Sequence, residues 1–140
     1  TRDKIVADAE LLADFYGYGE CEATLFKPTK ANGVDTFRLT RCGALSYFIG
    51  PMLQRPCGLA SDTGFALQPW SSVRFSNVGC YTGTSSAYCM GTYFFTDAAT
   101  GDETIADYSF VYERDRNTGD LFITLHHSSF PYVPYMEEAA

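Results

Sequence analysis

In Leu121-Phe122-Ile123-Thr124-Leu125-His126-His127-Ser128-Ser129, a predicted β-strand brings both histidines of the chain next to two serines. Successive side chains of a strand point to opposite faces of its sheet. His127 and Ser129 should therefore share one face. The same face carries Leu121, Ile123 and Leu125. A face that begins apolar and ends in a histidine and a serine predicts a core wall that opens into a polar pocket. The alternative is a strand end that emerges into solvent.

The size and composition of the chain are typical of one globular domain. Its 140 residues are enough for a substantial core, and 46% of them are hydrophobic. No apolar run approaches the roughly 18 residues of a membrane span. The net charge of −7 disfavours a nucleic acid or an acidic membrane as partner. Because the sequence begins at Thr1, we expect a domain excised from a longer or repeated chain, with a segment targeting it to a plastid or another organelle removed.

Upstream of the histidine strand, the sequence predicts two helices and a short hairpin. Apolar residues recur at helical spacing over 3–16. Strands over Cys21–Phe26 and Val34–Leu39 follow, joined by a turn. Thr40 is then the expected N-cap of a helix that ends at Ile49.

The second half of the chain is strand-like after a loop over 51–64 that is rich in proline, glycine and cysteine. Turn signals separate four predicted strands, over Phe65–Asn77, Ala87–Thr96, Thr104–Glu113 and Leu121–Phe130. This order predicts an α+β fold in which a curved antiparallel sheet wraps around the helices. Such a sheet forms a cone whose interior a small ligand can enter.

The number and placement of the histidines disfavour metal ligation. Catalytic zinc takes three protein ligands, commonly three histidines or two histidines and a carboxylate. The chain has only two histidines, and as neighbours on a strand they face opposite ways. None of the five cysteines has C-x-x-C spacing, which leaves one or two disulfides open and their connectivity unspecified. The sequence therefore predicts neither a metal nor another cofactor.

Two further hydroxyls lie near the expected pocket. Thr29 follows the proline that ends the first predicted strand, and Tyr47 lies on the second predicted helix. Each has a purely structural alternative, because threonine often forms turns and a buried tyrosine often packs its ring in a core with its hydroxyl near water.

Four motifs, in this order, resemble the iota class of carbonic anhydrases. That class is related to the association domain of calcium/calmodulin-dependent kinase II and to the nuclear-transport-factor-2-like cone folds. The resemblance spans nearly the whole chain. The motifs are Leu25-Phe26-Lys27-Pro28-Thr29-Lys30-Ala31, Ala44-Leu45-Ser46-Tyr47-Phe48-Ile49-Gly50, Gly64-Phe65-Ala66-Leu67-Gln68-Pro69-Trp70-Ser71-Ser72-Val73-Arg74-Phe75 and His126-His127-Ser128-Ser129.

The resemblance implies a cone-shaped fold and reversible, metal-independent hydration of carbon dioxide to bicarbonate and a proton. It also implies a homodimer that forms through the outer face of the sheet. Members of the class in algae often contain several such domains in tandem. The usual signature has three histidines before the two serines, and this chain departs from it with Leu125 in the first position.

Carried over by position, the implied catalytic residues are Thr29, Tyr47, His127 and Ser129. The three hydroxyls would hold water and a carbonate-like transition state, and His127 would take or relay the proton. An apolar lining, with Leu125 and Phe48 as examples, would admit carbon dioxide. His126 and Ser128 would then lie on the outer or dimer face.

Two alternatives stay open at this point. A non-catalytic association domain would use the sheet face for assembly and keep only a small-molecule pocket. An enzyme acting on an apolar ligand, as polyketide cyclases and steroid isomerases do, would need a carboxylate deep in the cone. The acidic residues disfavour the second, because they lie at turns and chain ends, as at Asp97, Asp102, Glu113 and Asp120.

Overall fold

A five-stranded sheet packed against two helices makes up the described part of the chain. The structure is a computed structural model, and it describes residues 1–19, 23–53, 58–59 and 61–134. The helices are α1 (Arg2–Ala13) and α2 (Arg41–Ile49). The strands are β1 (Leu25–Lys27), β2 (Trp70–Thr82), β3 (Ser86–Asp97), β4 (Glu103–Arg114) and β5 (Leu121–Ser129). Short 3-10 helices span Gly33–Asp35, Gly50–Met52 and Phe65–Leu67.

The sheet is mixed, with strand order β1-β5-β4-β3-β2. β2 to β5 form an antiparallel meander, and β1 pairs with β5 in parallel. A disulfide between Cys80 and Cys89 joins opposed positions of β2 and β3. This confirms the α+β architecture predicted from the sequence, with one parallel pair that the predicted antiparallel sheet lacked.

Both predicted helices are present, and each begins at a threonine cap. The Thr40 hydroxyl accepts a hydrogen bond from the Gly43 amide at 3.1 Å, so the predicted N-cap of α2 is confirmed. The Thr1 hydroxyl accepts from the Lys4 amide at 3.3 Å, and α1 ends at Ala13, three residues before the predicted end. These caps satisfy amide groups that have no partner within a helix. None of the helices that the structure describes is long and apolar enough to cross a membrane.

The predicted hairpin is wrong. Instead of a strand over Val34–Leu39, a 3-10 turn forms over Gly33–Asp35, where Gly33 has a φ of 72°. A single backbone bond, from the Arg38 amide to the Phe26 carbonyl at 2.6 Å, ties this segment to β1. The strand partner of β1 is β5, a hundred residues later, which no local pattern encodes. Part of the predicted strand Cys21–Phe26 lies outside the described residues.

The other predicted strands are present with shifted ends. The strand predicted from Phe65 begins instead at Trp70, because Gly64 adopts a left-handed conformation with a φ of 85° and a 3-10 turn follows it. That strand runs to Thr82, five residues beyond its predicted end. The predicted bounds of β3, β4 and β5 agree with the structure within one residue at each end.

A buried ion pair ties the segment after α2 to the rest of the domain. The Arg38 guanidinium donates to both carboxylate oxygens of Asp62, at 2.6 and 2.8 Å, and the Ser46 hydroxyl donates to Asp62 at 2.6 Å. Burial raises the pKa of Asp62, but these donors outweigh it and hold the pKa below its ordinary value. Because Ser46 precedes Tyr47 on α2, the ion pair also fixes the helix turn that carries Tyr47.

Aromatic side chains fill the space between the inner face of the sheet and the helices. Gly91 makes room for one of them, since a Cβ there would lie 2.2 Å from the Ser76 carbonyl oxygen and 2.6 Å from the Tyr108 hydroxyl. Without it, the Tyr108 hydroxyl could not reach the Asn77 side chain, to which it donates at 2.5 Å. The buried aromatic residues are Tyr16, Phe26, Tyr47, Phe48, Tyr93, Phe95, Tyr108 and Phe110.

Candidate active site

A β-bulge in β5 decides which histidine faces the interior. Val111 of β4 pairs with Leu125, but the next residue, Tyr112, pairs with Ile123, so Thr124 is an extra residue in β5. The Thr124 hydroxyl bonds to the Val111 carbonyl at 3.5 Å. Ile123 and Thr124 both lie on the inner side, and strict alternation resumes after them. Residues beyond the bulge are therefore inverted relative to the alternation expected from Leu121.

The predicted orientation of His127 and Ser129 is accordingly wrong. His126 is 8% exposed and Ser128 is fully buried, whereas His127 is exposed and Ser129 is half-buried on the outer face. Leu125 also lies on the outer face, so it is not the apolar lining that the sequence suggested. The alternation argument failed because it assumed an unbroken strand, and nothing in the sequence Ile123-Thr124 marks a bulge.

His126 is the centre of a buried chain of hydrogen bonds. Its Nδ1 lies 2.8 Å from the Tyr16 hydroxyl, and its Nε2 lies 3.1 Å from the Tyr93 hydroxyl. The Tyr93 hydroxyl donates to Ser128 Oγ. Ser128 Oγ in turn lies 2.5 Å from Thr29 Oγ1. The chain thus joins the segments that follow α1 and β1 to β3 and β5.

The ring of His126 is held between two phenyl rings. Phe110 lies 4.0 Å from it and Phe26 lies 4.8 Å from it, centroid to centroid, both nearly parallel to the imidazole. Burial in this apolar stack, with a smaller contribution from the neighbouring His127, lowers the pKa of His126 to about 3. His126 is therefore a neutral imidazole at physiological pH.

The donor and acceptor roles along this chain follow from that neutrality. Because the Tyr93 hydroxyl gives its hydrogen to Ser128, its oxygen accepts from His126 Nε2–H. The other ring nitrogen, Nδ1, is then an acceptor and receives the hydrogen of the Tyr16 hydroxyl. Either hydroxyl can be the donor between Ser128 Oγ and Thr29 Oγ1. With the Thr29 hydrogen directed to Tyr47, Ser128 is the donor in this contact. All hydrogens of the chain are thereby oriented from Tyr16 toward Thr29.

Tyr47 lies at the end of this chain. Its hydroxyl accepts from the Lys30 amide at 3.2 Å. Burial raises the pKa of Tyr47 to about 12, although hydrogen bonds from the Lys30 amide and the Thr29 hydroxyl oppose the rise. Tyr47 therefore keeps its hydrogen and has it free for a further acceptor. Thr29 and Tyr47, both singled out from the sequence, thus lie together in the buried interior.

An apolar cavity of about 440 Å³ adjoins these hydroxyls. Thr29, Tyr47, Tyr93, Tyr16 and His126 border it with polar groups that belong to the buried chain of hydrogen bonds or to its end. Ser128 lies behind Thr29 and does not line the cavity. His127 and Ser129 do not line it either. The remaining lining residues are Leu12, Phe15, Phe26, Pro28, Phe48, Phe65, Ala66, Trp70, Val73, Phe75, Phe95, Phe110, Tyr112 and Ile123. The site therefore offers hydroxyl donors at one place in an otherwise apolar space.

Sequence reasoning missed Tyr16, Tyr93, His126 and Ser128 as site residues. The last two were assigned to the wrong face of β5, and both tyrosines lie far from the histidine motif in sequence, 110 and 33 residues from His126. Within the described part of the chain, no group of three or more histidine, cysteine, aspartate or glutamate side chains is arranged to hold a metal ion.

The fold and the site define the class of protein. The fold is nuclear-transport-factor-2-like, similar to a protein of that fold from Shewanella oneidensis (TM-score 0.51, 17% identity, 91% of this chain and 93% of that chain). It is also similar to a calcium/calmodulin-dependent protein kinase II association domain from Xanthomonas campestris (TM-score 0.57, 22% identity, 94% and 81%). The chain belongs to the metal-independent carbonic anhydrase family, whose model matches residues 2–130.

Two relatives are similar over most of this chain. A metal-independent carbonic anhydrase from Nostoc sp. (strain PCC 7120) is 39% identical over 123 residues, which cover 88% of this chain and 57% of the relative. The chain thus spans little more than half the length of that curated relative. The crystal structure of an iota-carbonic anhydrase from a cyanobacterium, complexed with bicarbonate, has a TM-score of 0.84 and 37% identity and covers 95% of this chain and 77% of that chain.

Proposed function

We propose that this protein catalyses the reversible hydration of carbon dioxide to bicarbonate without a metal ion. The observation that carries the proposal is the chain of buried, hydrogen-bonded hydroxyls that ends at Thr29 and Tyr47 beside an apolar cavity. Membership of the metal-independent carbonic anhydrase family and a similar structure that holds bicarbonate support it.

The apolar cavity accounts for substrate entry and the hydroxyls for stabilisation of charge. Carbon dioxide is uncharged and apolar, so aromatic walls accept it without displacing bound charge. As water adds to its carbon, negative charge develops on the carbon dioxide oxygens. The Tyr47 hydroxyl, held by the Lys30 amide and the Thr29 hydroxyl, is a fixed donor in a site of low dielectric constant, where such a donor contributes roughly 10²–10³ to the rate.

The same two hydroxyls complete the proton balance of the reaction. The oxygen of water bonds to carbon, and one of its protons passes to Thr29 Oγ1. Thr29 gives its own proton to the Tyr47 oxygen, and Tyr47 gives its proton to an oxygen of carbon dioxide. Both side chains end as they began, and the product is carbonic acid, which ionises in water to bicarbonate and a proton.

His126 acts in this scheme as a positioning residue. A neutral imidazole with a pKa of about 3 is a poor acceptor for a proton that must rest on it near neutral pH. Its two nitrogens instead fix the hydrogens of Tyr16 and Tyr93, and through Ser128 they orient Thr29. The proton-transfer role that the sequence suggested for His127 thus has no counterpart in this geometry, because His127 lies on the outer face.

The test is carbon dioxide hydration by stopped-flow on chelator-treated protein whose metal content is measured in the same sample. Hydration should persist without metal. Tyr47→Phe removes the proton that completes the transfer and should lower kcat/KM by roughly 10²–10³. Tyr132→Phe, at a tyrosine that is 84% exposed, is the matched control and should leave the rate unchanged. Folded protein without activity would overturn the proposal.

We further propose that the protein forms a homodimer through the outer face of the sheet. This face carries His127, Ser129 and Asp107, and it includes a depression of about 420 Å³. Its exposed apolar residues are Leu25, Val78, Tyr81, Tyr88 and Met90. Soluble monomers rarely expose such a patch, so a second copy is the occupant that the face favours.

The oligomeric state of the Met90→Lys variant tests this proposal. Sedimentation should give a dimer for the wild type and a monomer for the variant, since a lysine would be desolvated in the interface. Leu39→Lys places the same change on an exposed leucine outside the sheet and should stay dimeric. A monomeric wild type at all concentrations would contradict the proposal.

A further inference from the structure

The cavity is much larger than the reaction needs. One carbon dioxide and one water must meet in it, whereas its volume of about 440 Å³ is that of about fifteen liquid water molecules, at roughly 30 Å³ each. It lies within the range of about 300–1,000 Å³ that is typical of sites for larger organic ligands. A hydration site alone therefore does not explain the space.

The cavity also has one polar end and one apolar end. The Thr29 and Tyr47 hydroxyls border it at one place, and rings from the helices and the sheet surround the remainder. On the side of Val73, Phe75 and Phe15 the lining side chains are 46–61% exposed, so the cavity is open to solvent among apolar groups. A ligand that fits has one small polar end and one apolar end.

The polar end favours an anion. The Lys27 ammonium donates to the backbone carbonyls of Ser128 and Thr29, at 2.9 and 3.3 Å, and so places a positive charge next to the hydroxyl donors. Of the described residues, none that lines the cavity is an aspartate or a glutamate. A hydroxyl donor beside a cation suits a carboxylate, which has the planar O–C–O geometry of bicarbonate.

We propose that the cavity binds monocarboxylates with an apolar chain of about six to eight carbons, which, at the roughly 30 Å³ of a water-sized group, occupies about half of the space. The carboxylate accepts from the Tyr47 hydroxyl beside Lys27, and the chain lies among the aromatic rings. Such a ligand excludes bicarbonate and water from the same donors and inhibits the hydration reaction. This placement of the carboxylate rests on the proposed function.

A homologous series of ligands tests the proposal directly. The probes are sodium acetate, butanoate and hexanoate, with hexan-1-ol as a ligand of equal chain length without the carboxylate. Calorimetric affinity should rise about threefold to fourfold with each methylene, so that hexanoate binds about a hundredfold more tightly than acetate. Hexan-1-ol should bind at least about tenfold more weakly than hexanoate, because a charge-assisted hydrogen bond is lost. Equal affinities along the series, or of the acid and the alcohol, would overturn the proposal.

Two substitutions separate chain binding from carboxylate binding. Val73→Trp fills the open side of the cavity and should weaken hexanoate at least about tenfold, with acetate changed less than about twofold. Val34→Trp makes the same change at a fully exposed valine away from the cavity and should change neither. If the circular dichroism of Val73→Trp shows misfolding, Leu12→Trp fills the cavity from α1. Unchanged hexanoate affinity in the folded filling variant would contradict the proposal.

Binding and turnover are measured separately, so the two proposals can fail separately. Wild-type protein that hydrates carbon dioxide at the same rate with and without hexanoate would overturn this inference and leave the proposed function intact. Wild-type protein that binds hexanoate with the expected dependence on chain length but hydrates nothing would overturn the proposed function. The cavity would then stand as a carboxylate site in its own right.

Discussion

The two faces of β5 carry the same pair of residue types in different surroundings. On the inner face, the His126 ring is stacked between two phenyl rings, and Ser128 is fully buried between two hydroxyl partners. On the outer face, His127 is exposed and Ser129 is half-buried. Identical side chains one residue apart therefore differ in burial and in hydrogen bonding. The comparison teaches that the chemistry of this motif depends on the core that surrounds each side chain and not on the residue types alone.

The serine pair should show the largest difference between the faces. Ser128→Ala leaves the Thr29 and Tyr93 hydroxyls without their shared partner, and kcat/KM for hydration should fall about ten- to a hundredfold. Ser129→Ala, the matched change on the outer face, should stay within about twofold of wild type. Stopped-flow hydration rates check both. Equal losses in the two variants would show that the faces do not differ as described.

Between pH 8 and pH 5, stability should depend on the inner histidine. The pKa of His126 is about 3 in the folded chain and about 6.5 when unfolded, so below pH 6.5 the unfolded state binds a proton that the folded state does not. This contribution to stability is complete above pH 6.5 and is lost as the pH falls toward 3. At pH 5 the loss relative to pH 8 should be about 2 kcal/mol.

Urea unfolding at pH 8 and pH 5 measures that loss in three proteins. His126→Phe removes the titrating group and should reduce the difference in the free energy of unfolding by about 2 kcal/mol. His127→Gln, at an exposed side chain outside the buried chain of hydrogen bonds, is the matched control and should keep the wild-type difference. The comparison would be broken if His127→Gln, and not His126→Phe, altered the pH dependence.

The smallest predicted effect concerns the rate. His126→Gln removes the ring that fixes Tyr16 and Tyr93, and the loss of this orientation should lower kcat/KM about tenfold. His127→Gln should leave it unchanged. Because His126 stays neutral, the wild-type kcat/KM should show no inflection near pH 6.5. An inflection there that disappears in His126→Gln would make His126 a proton acceptor instead of a positioning residue.

Local patterns predicted the elements better than their partners. The Thr40 cap and the end of α2 at Ile49 could be predicted because both depend on neighbouring residues. The parallel pairing of β1 with β5 could not, because it joins residues a hundred positions apart. The failed strand over Val34–Leu39 belongs to the same class, since a hairpin was assumed where a distant strand supplies the partner.

The residues of the candidate site also differ in whether local sequence could predict them. Thr29 and Tyr47 could be singled out because each lies in a short motif that resembles a known family. The bulge at Thr124 is fixed by pairing with β4, and the Tyr16 and Tyr93 hydroxyls reach His126 only after the sheet and α1 have packed. The bulge and the two tyrosine contacts depend on the tertiary structure. The alternation of side chains along one strand could therefore not predict them.

The bulge and the two His-x-Ser pairs of the final strand together affect how the sequence tolerates insertions and deletions. An insertion or deletion of one residue in a strand ordinarily exchanges its two faces and destroys a site built on one of them. In His126-His127-Ser128-Ser129, either choice of face presents an imidazole followed two residues later by a hydroxyl. A lineage could therefore gain or lose the extra residue at Thr124 and still place the same two functional groups inside the domain.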